Sequence, residues 1–122
     1  MQTKPQTRYS DPELAEFRAL IVGKLAEANK QLAFYVDQLT EQTDSDDGKK
    51  NELDDGTHTS VVEELQNQAN RQRKLIQHLE YALIRVDNKA YGICRATGLL
   101  IAKERLRLVP HATLSIAAKK SH

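Results

Sequence analysis

Apolar residues recur along the first third of the chain at spacings of three and four: Leu14, Phe17, Ile21, Leu25, Ala28, Leu32, Val36 and Leu39. That period puts them on one stripe and predicts an amphipathic helix of roughly 30 residues, about 45 Å long. Its start is written locally. Ser10 or Asp11 serves as cap, Pro12 sits in the first turn where its missing N–H costs nothing, and Glu13 lies near the positive end of the dipole. Residues 1–9 are polar, contain Pro5 and show no period, so they read as a flexible tail with order beginning at Ser10.

From about Glu41 to Thr59 the period vanishes, Gly48 and Gly56 appear, and Leu53 is the one strong hydrophobe, which predicts a connecting tip loop. The helical signal then returns. Ser60-Val61-Val62-Glu63 has the form of a capping box, and Val62, Leu65, Ala69, Gln72, Ile76, Leu79, Leu83 and Val86 follow as a heptad seam broken by one polar Gln72. Two helices of matched length, each with one apolar stripe, bury those stripes by folding back on each other. The expected fold is therefore mainly α, a long antiparallel coiled-coil hairpin over residues 10–89.

After Asp87-Asn88-Lys89 the pattern changes. Tyr91-Gly92-Ile93-Cys94, Thr97-Gly98, Leu99-Leu100-Ile101, Lys103 to Arg107, Pro110 and Leu114-Ser115-Ile116 read as a short hairpin around Gly98, one or two helical turns, and a closing strand. A module of this size, residues 90–120, cannot bury enough apolar surface to stand alone. It needs a metal, or it packs on the base of the hairpin through Ile93, Ile101, Leu106, Leu114 and Ile116, with Arg105 as a brace.

Charge sharpens the division of labour. Residues 1–40 carry five charges of each sign; residues 41–58 carry seven acids against two lysines; residues 71–122 carry eleven Lys and Arg against three acids. The net of +1 over 122 residues thus conceals an acidic middle and a basic end. The acidic middle repels phosphate, so direct binding of duplex DNA is disfavoured and a protein partner is expected. No apolar run is long enough for a membrane span and the first residues lack a signal peptide's apolar segment, which points to the cytoplasm. The four histidines, at 58, 78, 111 and 122, are far apart, and no nucleophile elbow or phosphate-binding glycine loop is present, so no enzyme is expected.

The run Arg73-Lys74-Leu75-Ile76, with Tyr91-Gly92-Ile93-Cys94-x-x-Thr97-Gly98, Ile101, Arg105-Leu106, Pro110-x-Ala112 and Leu114-x-Ile116, resembles the DksA/TraR family of bacterial RNA polymerase-binding transcription factors. The resemblance covers roughly residues 10–120. In the family this end is a four-cysteine zinc finger, whose ligand positions fall here on Cys94, Thr97, Ser115 and Ala118. Three of four thiols are absent, and Thr, Ser and Ala do not replace thiolates, so a zinc-finger-like but metal-free module is expected, with Cys94 a small buried residue and no cofactor.

The resemblance further implies a factor that inserts its coiled coil into the secondary channel of RNA polymerase and modulates initiation without binding DNA. The family's tip signature, Asp-x-x-Asp-x-Ala, falls on Asn51, Asp54 and Gly56, of which Asp54 alone is retained. The positions implied for guanosine tetraphosphate, a ligand of the stringent response, are Arg71, Lys74, Leu75, His78 and Lys119, with His78 in place of a lysine. Guanidinium and ammonium groups suit pyrophosphate. A monomer is expected, since the hairpin buries its own seam. The second reading is a transcript-cleavage-like factor using the same channel, for which Glu52, Asp54 and Asp55 would gather at the tip; the third is a generic coiled-coil adaptor.

Overall fold

The computed structural model describes residues 7–44 and 55–121. Four helices are formed: α1 (Asp11–Asp44), α2 (Asp55–Asp87), α3 (Lys103–Leu108) and α4 (Ile116–Ser121). α1 and α2, of 34 and 33 residues, make the expected antiparallel hairpin, and no helix among the described residues is long and apolar enough to cross a membrane. The chain divides into two compact units, residues 1–25 with 78–122, and residues 26–77.

α1 begins as its sequence specifies. Ser10 Oγ accepts from the Glu13 N–H at 3.3 Å and Glu13 Oε1 accepts from the Ser10 N–H at 2.9 Å, a reciprocal box that satisfies two helix-end donors. α2 starts earlier than its Ser60-x-x-Glu63 pattern indicated, and that pattern lies inside the helix. Nothing in residues 55–59 forbids helix: Gly56 costs about 1 kcal/mol, which neighbouring turns offset, whereas a proline would have stopped propagation. The expected tip loop at 41–59 is accordingly helical at 41–44 and 55–59; residues 45–54 lie outside the described residues.

α2 ends in a Schellman motif. The Ala90 N–H donates to the Arg85 carbonyl at 2.9 Å and the Lys89 N–H to the Val86 carbonyl at 3.0 Å, with Lys89 at φ 61 where glycine is usual. Lys89 Nζ also meets Asp11 at 2.7 Å, and Arg18 meets Asp87 at 3.4 Å, both exposed pairs that set register more than stability.

In the second unit the seam is narrow. Ala28 and Ala69 are buried, while Leu32, Val36, Leu39, Val62, Leu65, Gln72 and Ile76 are half-buried, because each has a helix on one side only. The first unit holds the denser core: Leu14, Phe17, Ile21, Leu79, Ala82 and Val86 from the helices meet Tyr91, Cys94, Ile101 and Leu106 from the module. Phe17 lies at the centre, its ring 5.6 Å from Tyr9 and 5.3 Å from Tyr91.

Three expectations are corrected here. Tyr9 belongs to the core, not to a loose tail: it is 4% exposed, its hydroxyl donates to the Ile101 carbonyl, and its ring covers Gly92. At φ +79, Gly92 leaves room for that ring, since a Cβ would come within 2.7 Å of it. The closing strand is absent, because the Ser115 hydroxyl accepts from the Ala118 N–H at 3.1 Å and caps α4 instead. Ile116, placed in the core by its apolar character, is 52% exposed on that helix. The hairpin around Gly98 forms as one antiparallel bridge, Ile93 to Leu100, turning through Gly98 at φ 75.

Tyr9→Phe leaves the buried Ile101 carbonyl without its donor and is expected to cost about 1–3 kcal/mol in urea unfolding. An unchanged midpoint would show that Tyr9 does not tie the module down.

Candidate functional site

Cys94 and Ser115, two of the positions matched to finger ligands in the sequence, meet in the structure, and Ala118 bonds to Ser115. Cys94 is fully buried. Its sulfur accepts from the Thr97 hydroxyl and, at 3.4 Å, from the Ser115 N–H. Thr97 Oγ1 accepts from the Leu99 N–H at 3.2 Å, and Ser115 Oγ is engaged by Ala118. The surrounding backbone closes the turn, the Cys94 N–H donating to the Leu99 carbonyl and the Gly98 N–H to the Cys94 carbonyl, each at 2.8 Å. Arg105 braces the same loop, its Nε donating to the Leu114 carbonyl at 2.7 Å.

These residues do not fit structural zinc. Ala118 offers no donor atom, the two hydroxyls are occupied, and one sulfur cannot build a tetrahedron. Among the described residues no group of three or more His, Cys, Asp or Glu converges. The hydrogen bonds from Thr97 and Ser115 outweigh burial and pull the Cys94 thiol down to about 6 from an ordinary 9.0.

A second feature lies on the first unit: a groove of about 380 Å³ lined by side chains of α2, α3, α4 and the loop before α4. His78, Tyr81 and Arg85 share one face of α2 through their spacing of three and four, opposite Arg105, His111 and Lys119. The rings of His78 and His111 stack with centroids 5.6 Å apart. Burial, then the like charges of His78 and Arg85, hold His111 below the usual histidine range, and burial lowers Arg85 as well. Arg85 Nη2 and His111 Nδ1 are buried with no hydrogen-bond partner.

Of the positions named from the sequence, His78 and Lys119 are brought together in this groove. Arg71 and Lys74, exposed, and Leu75, half-buried, stand on the part of α2 in the second unit. Gly56 falls in the first turn of α2, and Asn51 and Asp54 lie outside the described residues. Sequence reasoning missed Arg85 and His111. Arg85 was legible as a neighbour of His78 two turns along α2, but only the fold brings His111 across to them.

Two measurements check this account. Excess chelator is expected to leave the melting temperature unmoved, whereas a fall of several degrees would reveal bound metal. Because the folded value of Cys94 lies below its unfolded value, its stabilisation is present above about pH 9 and is lost as pH falls through about 6. Cys94→Ala should therefore flatten the rise of stability between those limits, and parallel curves for the two proteins would refute the thiolate.

Comparison with known proteins bears on both features. A family model described as the prokaryotic dksA/traR C4-type zinc finger matches residues 89–122. The RNA polymerase-binding transcription factor DksA of Caulobacter vibrioides is 46% identical over 52 residues, a stretch covering 43% of this chain and 37% of that protein. General stress protein 16O of Bacillus subtilis is 27% identical over 120 residues, covering 96% of this chain and 68% of the relative. The solved structure of transcription factor DksA2 from Pseudomonas aeruginosa superposes with a TM-score of 0.81 at 26% identity, over 90% of this chain and 82% of the other. The finger model at residues 89–122 and the fold shared with DksA2 over nearly the whole chain agree in what this chain is similar to, the DksA/TraR family.

Proposed function

We propose that this protein is a cytoplasmic, monomeric transcription regulator that binds RNA polymerase, inserting the α1–α2 hairpin into the secondary channel to modulate initiation. The observation that carries the reading is the agreement with DksA2 over 90% of the chain, hairpin and C-terminal module together, which a generic adaptor would not require. Two of the similar proteins, DksA of Caulobacter vibrioides and DksA2 of Pseudomonas aeruginosa, are transcription factors. The stretch that matches the Caulobacter DksA covers only 37% of that protein, and its polymerase partner is carried to this chain as part of the proposal.

In this reading the tip residues Asn51, Asp54 and Gly56 approach the polymerase active centre. Asp54 supplies a carboxylate that hydrogen-bonds mobile polymerase elements or alters the field around the catalytic Mg²⁺. Asn51 keeps the shape of an aspartate without its charge. Guanosine tetraphosphate acts through Arg71, Lys74 and Leu75 on α2 and through His78 and Lys119, where cationic side chains meet its phosphates. The protein touches polymerase and not DNA.

The test is binding of the purified protein to RNA polymerase from the same organism, with and without a competitor that occupies the secondary channel. Competed binding is expected; a folded protein that does not bind would overturn the reading. Asp54→Asn should abolish the shortening of promoter-complex lifetime and leave affinity within about twofold, or about 0.4 kcal/mol. A lost affinity would make the tip an anchor instead of an effector. Arg71→Ala should remove the response to guanosine tetraphosphate, and an intact response would sink that assignment.

A further inference from the structure

α1 carries a second pattern that its pairing with α2 does not use. Gly23, Glu27, Lys30 and Phe34 follow one another at spacings of four, three and four, so they form one stripe of the helix, and all four are exposed. Phe34 is 54% exposed, its ring edge-on to Tyr35 with centroids 5.5 Å apart. It borders a groove of about 590 Å³ whose other lining residues are Ala26, Glu27, Lys30 and Gln31. Glu27 and Lys30 have no ion pair among the described residues. Gly23 is the informative member. A glycine inside a helix is less stable than alanine, and nothing within the chain requires one here, since a Cβ at position 23 would meet no atom within 4 Å.

We propose that this stripe is a self-association surface, on which the α1 helices of two copies pack antiparallel with Phe34 of each seated on Gly23 of the other. The inference goes beyond the function proposed above, which concerns the monomer as the acting form, and does not rest on it.

The register follows from the spacing. The four positions are symmetric about a point midway between Glu27 and Lys30, so a two-fold axis there sets Phe34 opposite Gly23 and Glu27 opposite Lys30, each twice. Two aromatic knobs then meet two holes, and two opposite-charge pairs close between them, which is the layering of an antiparallel coiled coil. On one flank Ala26 faces Ala33 of the second copy, small enough for the helices to approach closely. A parallel alignment would instead set Glu27 on Glu27 and Lys30 on Lys30. The stripe thus complements itself residue by residue, which favours a second copy over an unrelated helix as its occupant. The contact is also bounded. Its next layers would set Leu20 against Asp37 and Glu16 against Glu41, so it ends after about 17 Å of helix. An interface of that size gives a weak dimer that forms with rising concentration.

Sedimentation equilibrium of the full chain at low salt, at concentrations up to about 1 mM, is expected to show a reversible monomer–dimer equilibrium that weakens as salt is raised. Glu27→Lys and Lys30→Glu each bring like charges together and should each weaken self-association about tenfold. An equimolar mixture of the two variants should nevertheless dimerise about as well as the wild type, because the charges are then complementary across the interface. A structural role of either residue within its own chain does not give that recovery. Phe34→Ser should lose the dimer, and Gly23→Leu should lose it while raising the melting temperature, since leucine favours helix and fills the hole. All four positions are exposed, so every variant should keep the helical content of the wild type. A chain that stays monomeric at the highest concentration, a dimer indifferent to Phe34→Ser or Gly23→Leu, or a mixture of the charge variants that stays monomeric would overturn the proposal.

Discussion

The small C-terminal module is held by an aromatic clasp on the first unit. Tyr9, Phe17 and Tyr91 touch in sequence, Tyr9 reaches the Ile101 carbonyl, and Tyr91 donates to the Pro110 carbonyl at 2.8 Å. Each hydroxyl is satisfied by a backbone acceptor of the module itself, so the large apolar area these rings bury carries no polar penalty. Burial also pushes both phenols above their ordinary values, which keeps them as donors throughout the physiological range. Without the helices, a module with a single buried leucine in α3 and one β-bridge would have almost no core.

That clasp accounts for a module that folds although three of the four positions matched to finger ligands carry no thiol. Zinc in a small domain supplies folding energy directly, and removing three thiolates from a free-standing finger would unfold it. Here the ring packing already anchors both ends of the module. The remaining task at Cys94 is to fix a turn, which N–H and O–H donors to sulfur can do. Ser115 fits this role twice, its N–H on the sulfur and its hydroxyl capping α4. Alanine at 118 is buried, and what it contributes is an N–H to that cap.

Much of the fold was legible because heptads are a redundant code: every predicted seam position of α1 and α2 from Leu14 to Val86 is buried or half-buried. Features written in one or two residues fared worse. Tyr9 carries no period, and a lone aromatic before a helix cap does not announce that it folds over a glycine eighty residues away. Leu114-Ser115-Ile116 alternates like a strand, yet one serine hydroxyl in cap geometry decided for helix, as local hydrogen-bonding side chains often do. The same asymmetry holds for the site. His78 and Lys119 came from a resemblance, whereas the His78–His111 stack and the unpaired Arg85 depend on three-dimensional contacts that no spacing along the chain encodes.

The two features of the module are linked by what each requires of its surroundings. A thiolate-bound zinc holds a finger through four ligands, whereas the turn at Cys94 is held by hydrogen bonds to a single sulfur. In the groove, Arg85 on α2 and His111 on the module each keep a buried nitrogen without a hydrogen-bond partner, beside the stacked rings of His78 and His111. Since the groove's α2 face lies on the helix that also carries the core residues Leu79, Ala82 and Val86, whatever fills it contacts an element that the clasp holds rigid. Binding energy there is not dissipated in ordering a loose segment, which is the condition under which a small anion can bias a protein surface measurably.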